Sequence, residues 1–146
     1  MRHTLAQVLV VLAALTAVLG GCDTNPPTKE QMDAINYGPK PDNYQEIIKD
    51  YLRNRLTDPT TAIIDFKAGP RQMYQKDAVV RDMQVGWAVC AMVNDKNTRG
   101  AYVGFSPAVY FIRNGKVVAA NGGPSDGPVG GQFARRQCKE LGYEAP

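Results

Sequence analysis

The sequence predicts an α+β fold: an N-terminal amphipathic helix, an antiparallel β-meander of three to four strands, and a short C-terminal helix joined to the sheet by a disulfide. Three observations carry this expectation. Apolar residues recur at helical spacing after Pro41, apolar runs separated by turn residues follow one another, and two cysteines are left to pair.

The helix comes first. Asp42 offers a cap, with Gln45 three residues on and Pro41 just outside. Tyr44, Ile47, Ile48, Tyr51, Leu52 and Leu56 fall on one face, whereas Glu46, Lys49, Asp50, Arg53 and Asn54 fall on the other. The polar side mixes both charge signs, so the helix reads as a core helix and not as one lying on a membrane. Asp58-Pro59 is expected to stop it, because the residue before a proline is pushed out of the helical region.

Residues 61–66 can start the sheet, and residues 69–82, with Pro70 and several charges, read as an irregular loop or edge strand. From Met83 or Gln84 to Asn94 both alternate sets, Trp87/Val89/Val93 and Ala88/Cys90/Met92, are apolar, which predicts a central strand covered on both faces. Residues 95–100 supply turn chemistry, and residues 101–113 return as a long strand in which Pro107 marks either a bulge or a solvent-facing edge, with a bend expected there. Asn114-Gly115 is the strongest hairpin signal in the chain, since both residues tolerate the positive φ of a type I′ turn. Residues 117–120 then complete the meander. The Gly/Pro-dense residues 121–131 read as a flexible crossing into a helix over residues 132–141, ended by Gly142. Ala134, Cys138 and Leu141 share a face there, which sets Cys138 against Cys90 on the face of Ala88 and Met92.

The start of the chain is different in kind. A basic Met1-Arg2-His3, an apolar run over residues 5–19 and the small pair Gly20-Gly21 have the layout of a secretory leader, cut ahead of Cys22. The run falls short of the roughly 20 apolar residues that span a bilayer. Cys22 would take a diacylglycerol, and acyl chains at ~0.8 kcal/mol per buried methylene make a lasting anchor. The expected organisation is therefore a signal peptide over residues 1–21, a lipidated flexible tether over 22–41, rich in proline, and a single domain over 42–146. Tyr37-Gly38-Pro39 is placed to dock on that domain. The address is the bacterial cell envelope, lipid-anchored and facing the periplasm; Asp23 after the modified cysteine resembles the signal that retains lipoproteins at the inner membrane, which is preferred over the outer.

Export favours pairing of Cys90 with Cys138, closing a loop of about 49 residues and stabilising by roughly 4 kcal/mol at most. The charge balance excludes an electrostatic partner. The full chain has 17 Lys+Arg and 14 Asp+Glu, without any block of like charges, so no nucleic acid is expected.

Catalytic chemistry finds little to work with. The one histidine, His3, lies in the leader, which removes the base of a Ser-His-Asp or Cys-His centre and the commonest zinc ligand. Residues 122–131 lack the Gly-Lys-Ser/Thr ending of a phosphate loop. Paired carboxylates such as Asp77 with Asp82, or Asp65 with Asp95, can be proposed for glycan cleavage, but nothing in the sequence places two of them about 5 to 9 Å apart in a cleft. No catalytic residue, cofactor or metal is expected. Arg99, Tyr102, Phe105 and Tyr110, beside Trp87, form the aromatic-rich area and the candidate recognition surface.

The stretches Tyr37-Gly38-Pro39, Asn43-Tyr44, Leu56-Thr57-Asp58-Pro59, Gly86-Trp87-Ala88-Val89-Cys90, Val93-Asn94-Asp95-Lys96-Asn97 and Gly100-Ala101-Tyr102-Val103-Gly104-Phe105 give the chain a family likeness. It resembles small bacterial envelope lipoproteins with a Gly-Trp-x-Val-Cys strand, an Asn-x-Lys-Asn turn and a Gly-x-Tyr-x-Gly strand. The likeness covers residues 37–118, implies the fold and the address, and brings no binding residues. The function expected is a non-catalytic envelope binding or structural accessory module with a protein or peptidoglycan partner. An inhibitor or immunity protein against a periplasmic hydrolase is the alternative, and a cell-wall-modifying enzyme the remote one.

Overall fold

The computed structural model describes residues 28–75 and 84–146, so the leader, Cys22, and the Asp77/Asp82 pair lie outside the described residues. The chain divides into two units, residues 1–33 and Ala34–Pro146. In the first, the stretch expected as plain tether carries a helical turn, α1 (Lys29–Asp33). Its start is a reciprocal capping box that sequence reading passed over: the Thr28 N–H donates to Gln31 Oε1 and the Gln31 N–H to Thr28 Oγ1.

The second unit is the α+β fold. Its elements run α2 (Tyr44–Leu52), β1 (Ile63–Gln75), β2 (Gln84–Asn94), β3 (Ser106–Arg113), β4 (Lys116–Gly122) and α3 (Gly127–Glu140). The four strands form one antiparallel sheet in sequence order. Alternation along β2 and β3 sends side chains to opposite faces. Val89, Ala91, Val93, Ala108, Tyr110 and Ile112 join Ile48 and Leu52 of α2 in one core; Ala88, Cys90, Val109 and Phe111 join Ala134, Cys138 and Leu141 of the α3 side in the other. β2 is thus covered on both faces, as its two apolar sets require.

Several local expectations are corrected. The α2 N-cap is Asn43, without a side-chain cap bond, so Asp42 does not form the expected capping box with Gln45. The helix also ends at Leu52, well before Pro59, although Leu56 still packs against the same core. Of the two readings for residues 69–82, the edge strand holds as far as Gln75, where β1 ends after continuing through Pro70. Register shifts after Phe66 and Ala68 turn Ala68 and Met73 to the α3 side, whereas Ile64 and Phe66 face α2. Residues 101–105 do not belong to β3, which starts at Ser106. Pro107 is neither a bulge nor a solvent-facing edge: it is buried in the inner strand β3, in register opposite Met92 and near the strand start, where a missing N–H does least harm.

Asn114 (φ 51°) and Gly115 (φ 74°) make the expected two-residue turn between Arg113 and Lys116. Helix α3 starts at Gly127, earlier than expected, because Pro128 is at home in a first helical turn. It closes with Gly142 N–H to Lys139 O and Tyr143 N–H to Cys138 O, a Schellman pair. The Cys90–Cys138 disulfide, across a Cα separation of 5.3 Å, fixes α3 to β2. Ahead of α2, the Trp87 indole N–H donates to the Gly38 carbonyl at 3.0 Å, so Tyr37-Gly38-Pro39 does dock on the domain.

Candidate functional site

The connection between β2 and β3 is built around two buried polar side chains that end the strand. Asp95 is 3 % exposed, and its carboxylate accepts the N–H groups of Thr57 (2.6 Å), Asp58 (3.1 Å) and Lys96 (2.8 Å), while its carbonyl accepts that of Val103. Asn94 Oδ1 accepts the Gly104 N–H at 3.0 Å. Two backbone N–H groups of the hairpin, those of Lys96 and Gly104, are therefore taken up by side chains here. That is why residues 101–105 leave the sheet, keeping only the Lys96–Tyr102 bridge.

The tip is fixed in the same way. Asn97 Oδ1 accepts the N–H groups of Arg99 and Ala101, and the Gly100 N–H reaches the Asn97 carbonyl. The Tyr102 hydroxyl donates to the Thr61 carbonyl at 2.9 Å, and Lys96 Nζ stands 5.2 Å from the Tyr102 ring and 3.5 Å from Asp58. Asp58 in turn accepts from the hydroxyls of Thr61 and Thr60, which hold its carboxyl at about 2, with Lys96 adding a smaller pull in the same direction.

This polar frame holds apolar side chains out in water. Tyr102 is 47 % exposed, Val103 54 % and Phe105 50 %, with Ile63 at the start of β1 at 44 %. Arg99 is exposed at the same tip. Three of the four candidate recognition residues, Arg99, Tyr102 and Phe105, thus lie on one loop. Tyr110 does not join them: it is 2 % exposed and belongs to the α2-side core, because position 110 of β3 alternates with Ala108 and Ile112 toward that helix. Trp87 also packs there. Val103 was missed because alternation within residues 101–105 resembles a strand; the clue lay in Asn94-Asp95, two side chains able to compete with a ladder.

The remaining acidic candidates have local employment. Asp65 pairs with Lys67, whose ammonium it favours, and Asp95 is saturated by backbone. Among the described residues no group of three or more His, Cys, Asp or Glu could hold a metal ion, and no helix is long and apolar enough to cross a membrane. Residues 122–126, read as part of a flexible crossing, form a tight turn with Gly123 N–H on Pro107 O and Gly122 N–H on Asp126 Oδ2. Comparison with protein-family models, curated proteins and solved structures gave no match to this chain.

Proposed function

We propose that this protein is a non-catalytic binding module of the bacterial cell envelope, cut ahead of Cys22, acylated there, and facing the periplasm with the inner membrane as its site. The carrying observation is the apolar group Tyr102, Val103 and Phe105, displayed on a loop whose shape is set by the buried Asn94 and Asp95. Exposing large apolar side chains to water is unfavourable, and a pre-shaped loop loses little entropy on binding; both favour a protein partner that covers it. The leader motif and a disulfide suited to an oxidising compartment support the address.

The test has two arms. Labelled fatty acid should enter the full chain and not Cys22→Ala, and a photo-crosslinker at Val103 should capture an envelope protein that one at the exposed Val118 does not. Unlabelled protein, or identical captures at both positions, would overturn the reading. An inhibitor of an envelope hydrolase is the second reading, favoured by the rigid exposure of Arg99 at the tip; loss of muramidase or protease inhibition in Arg99→Ala is its mark.

A further inference from the structure

On the α2 side of the sheet, a recess of 260 Å3 opens between the C-terminal end of α2, the strands at Tyr110 and Ala120, and the Gly122–Asp126 turn. Its floor holds an anomaly. Tyr110 is 2 % exposed and lies edge to face with Tyr51 at 6.0 Å, yet among the described residues nothing hydrogen-bonds to its hydroxyl. A phenol this deep ordinarily has a partner. No described side-chain oxygen is both fully sealed and unpaired, and the Tyr110 backbone is enclosed in a central strand. The hydroxyl therefore opens on the recess that its residue lines. Burial, with Tyr51 beside it, pushes the phenol's pKa up, so it is a donor at any physiological pH.

Charges of both signs meet at the rim. The Arg55 guanidinium stacks 3.8 Å over the Tyr51 ring and donates to the Tyr51 carbonyl at 2.9 Å, which holds it in place with further N–H groups free for a ligand. Arg55 and Tyr110 thus flank the same ring. Across the opening, Asp126 accepts the Gly122 N–H through Oδ2, and Oδ1 meets no donor among the described residues. The wall that carries Asp126 leaves no space to spare. A Cβ on Gly122, whose φ is +76°, would stand 2.2 Å from the Pro107 carbonyl oxygen, and one on Gly130 would stand 2.0 Å from Asp126 Oδ2. Leu52, Leu56 and Ala120 supply apolar lining.

We propose that this recess binds a free α-amino acid with a small apolar side chain. Its carboxylate meets Arg55 and the Tyr110 hydroxyl, its ammonium meets Asp126, and its side chain lies on the leucines. A lone anion would face the Asp126 carboxylate and a lone cation would face Arg55; a zwitterion satisfies both. The volume is below the roughly 300–1,000 Å3 of sites for drug-sized ligands, which fits an occupant of this size. No residue of 95–105 lines the recess, and its test reads amino-acid binding and not partner capture, so it stands or falls apart from the function proposed above.

The test is calorimetric titration of the full chain in detergent with alanine, valine and leucine in both enantiomers, and with 4-methylpentanoate and isoamylamine, which each keep one of leucine's two charges. At least one amino acid should bind one to one, at least tenfold more tightly than its singly charged analogues. Tyr110→Phe should weaken that binding about tenfold and leave the melting temperature unchanged or raised, since the hydroxyl it removes has no partner among the described residues. Arg55→Gln, at an exposed position, should weaken it equally. No binding of any amino acid at millimolar concentration, equal binding of either analogue, or full affinity in Tyr110→Phe would overturn the proposal.

Discussion

The two helices that cover opposite faces of the sheet are held there by different means. Helix α3 is bound to β2 by the disulfide and closed by a Schellman pair, so its position is set covalently and its last turn is satisfied by its own backbone. Helix α2 has neither a covalent tie nor a side-chain cap. It rests on Ile48 and Leu52, and the chain beyond it is drawn to the sheet by Asp95 through Thr57 and Asp58. Both candidate binding features, the 95–105 loop and the Tyr110 recess, border this second side. The difference teaches that both candidate features lie where position depends on packing and hydrogen bonds, the kind of contact that a ligand can reinforce.

The largest way to break the comparison is to remove the tie. Cys138→Ala should cost roughly 4 kcal/mol at the upper end, seen as a fall in the midpoint of thermal unfolding. In native-state hydrogen exchange its α3 amides should then exchange as readily as those of α2, which in the intact protein should exchange first. Ile48→Ala attacks the other side. Ile48 is fully buried, so about 3 kcal/mol should be lost in chemical denaturation, with the disulfide and the α3 amides unaffected at low denaturant. Asp95→Ala should cost about 2 kcal/mol, because three backbone N–H groups lose their acceptor, and should broaden the NMR signals of residues 57–61 and 102–105 together.

The smallest effect is a pH dependence. Asp58 has its carboxyl held at about 2, below the ordinary 3.8, so its contribution is complete above about pH 4 and is lost as pH falls through about 2. The stability difference between the protein and Asp58→Asn should accordingly shrink from pH 5 toward pH 2, and a difference constant over that range would remove this carboxylate from the account.

Local signals in the sequence were read correctly where a few neighbouring residues decide the outcome. Asn114-Gly115 carries its own turn, the two apolar sets of β2 require cover on both faces, and Cys90 and Cys138 are left as a pair once Cys22 is set aside. Long-range competition was not visible. The α2 helix stops early and residues 101–105 leave the sheet because the side chains of Asn94 and Asp95 bind backbone groups across the fold. The α3 start was misplaced because glycines argue against a helix, whereas here Gly130 is needed to admit the Asp126 side chain. The recess was beyond sequence reading altogether, since Tyr51, Arg55 and Tyr110 meet only after α2 packs on the sheet.

The bond from Trp87 to Gly38 marks one end of the sheet as the place where the segment ahead of α2 docks. Trp87 is opposite Ile112, next to the Asn114-Gly115 turn, whereas Tyr102 to Phe105 project beyond the other end of the same strands. At about 3.3 Å per residue, the seven steps from Trp87 to Asn94 put about 23 Å between the Gly38 docking point and the exposed aromatic tip. The exposed tip and the docked Tyr37-Gly38-Pro39 segment therefore lie at opposite ends of the sheet, so a partner can cover the first without displacing the second.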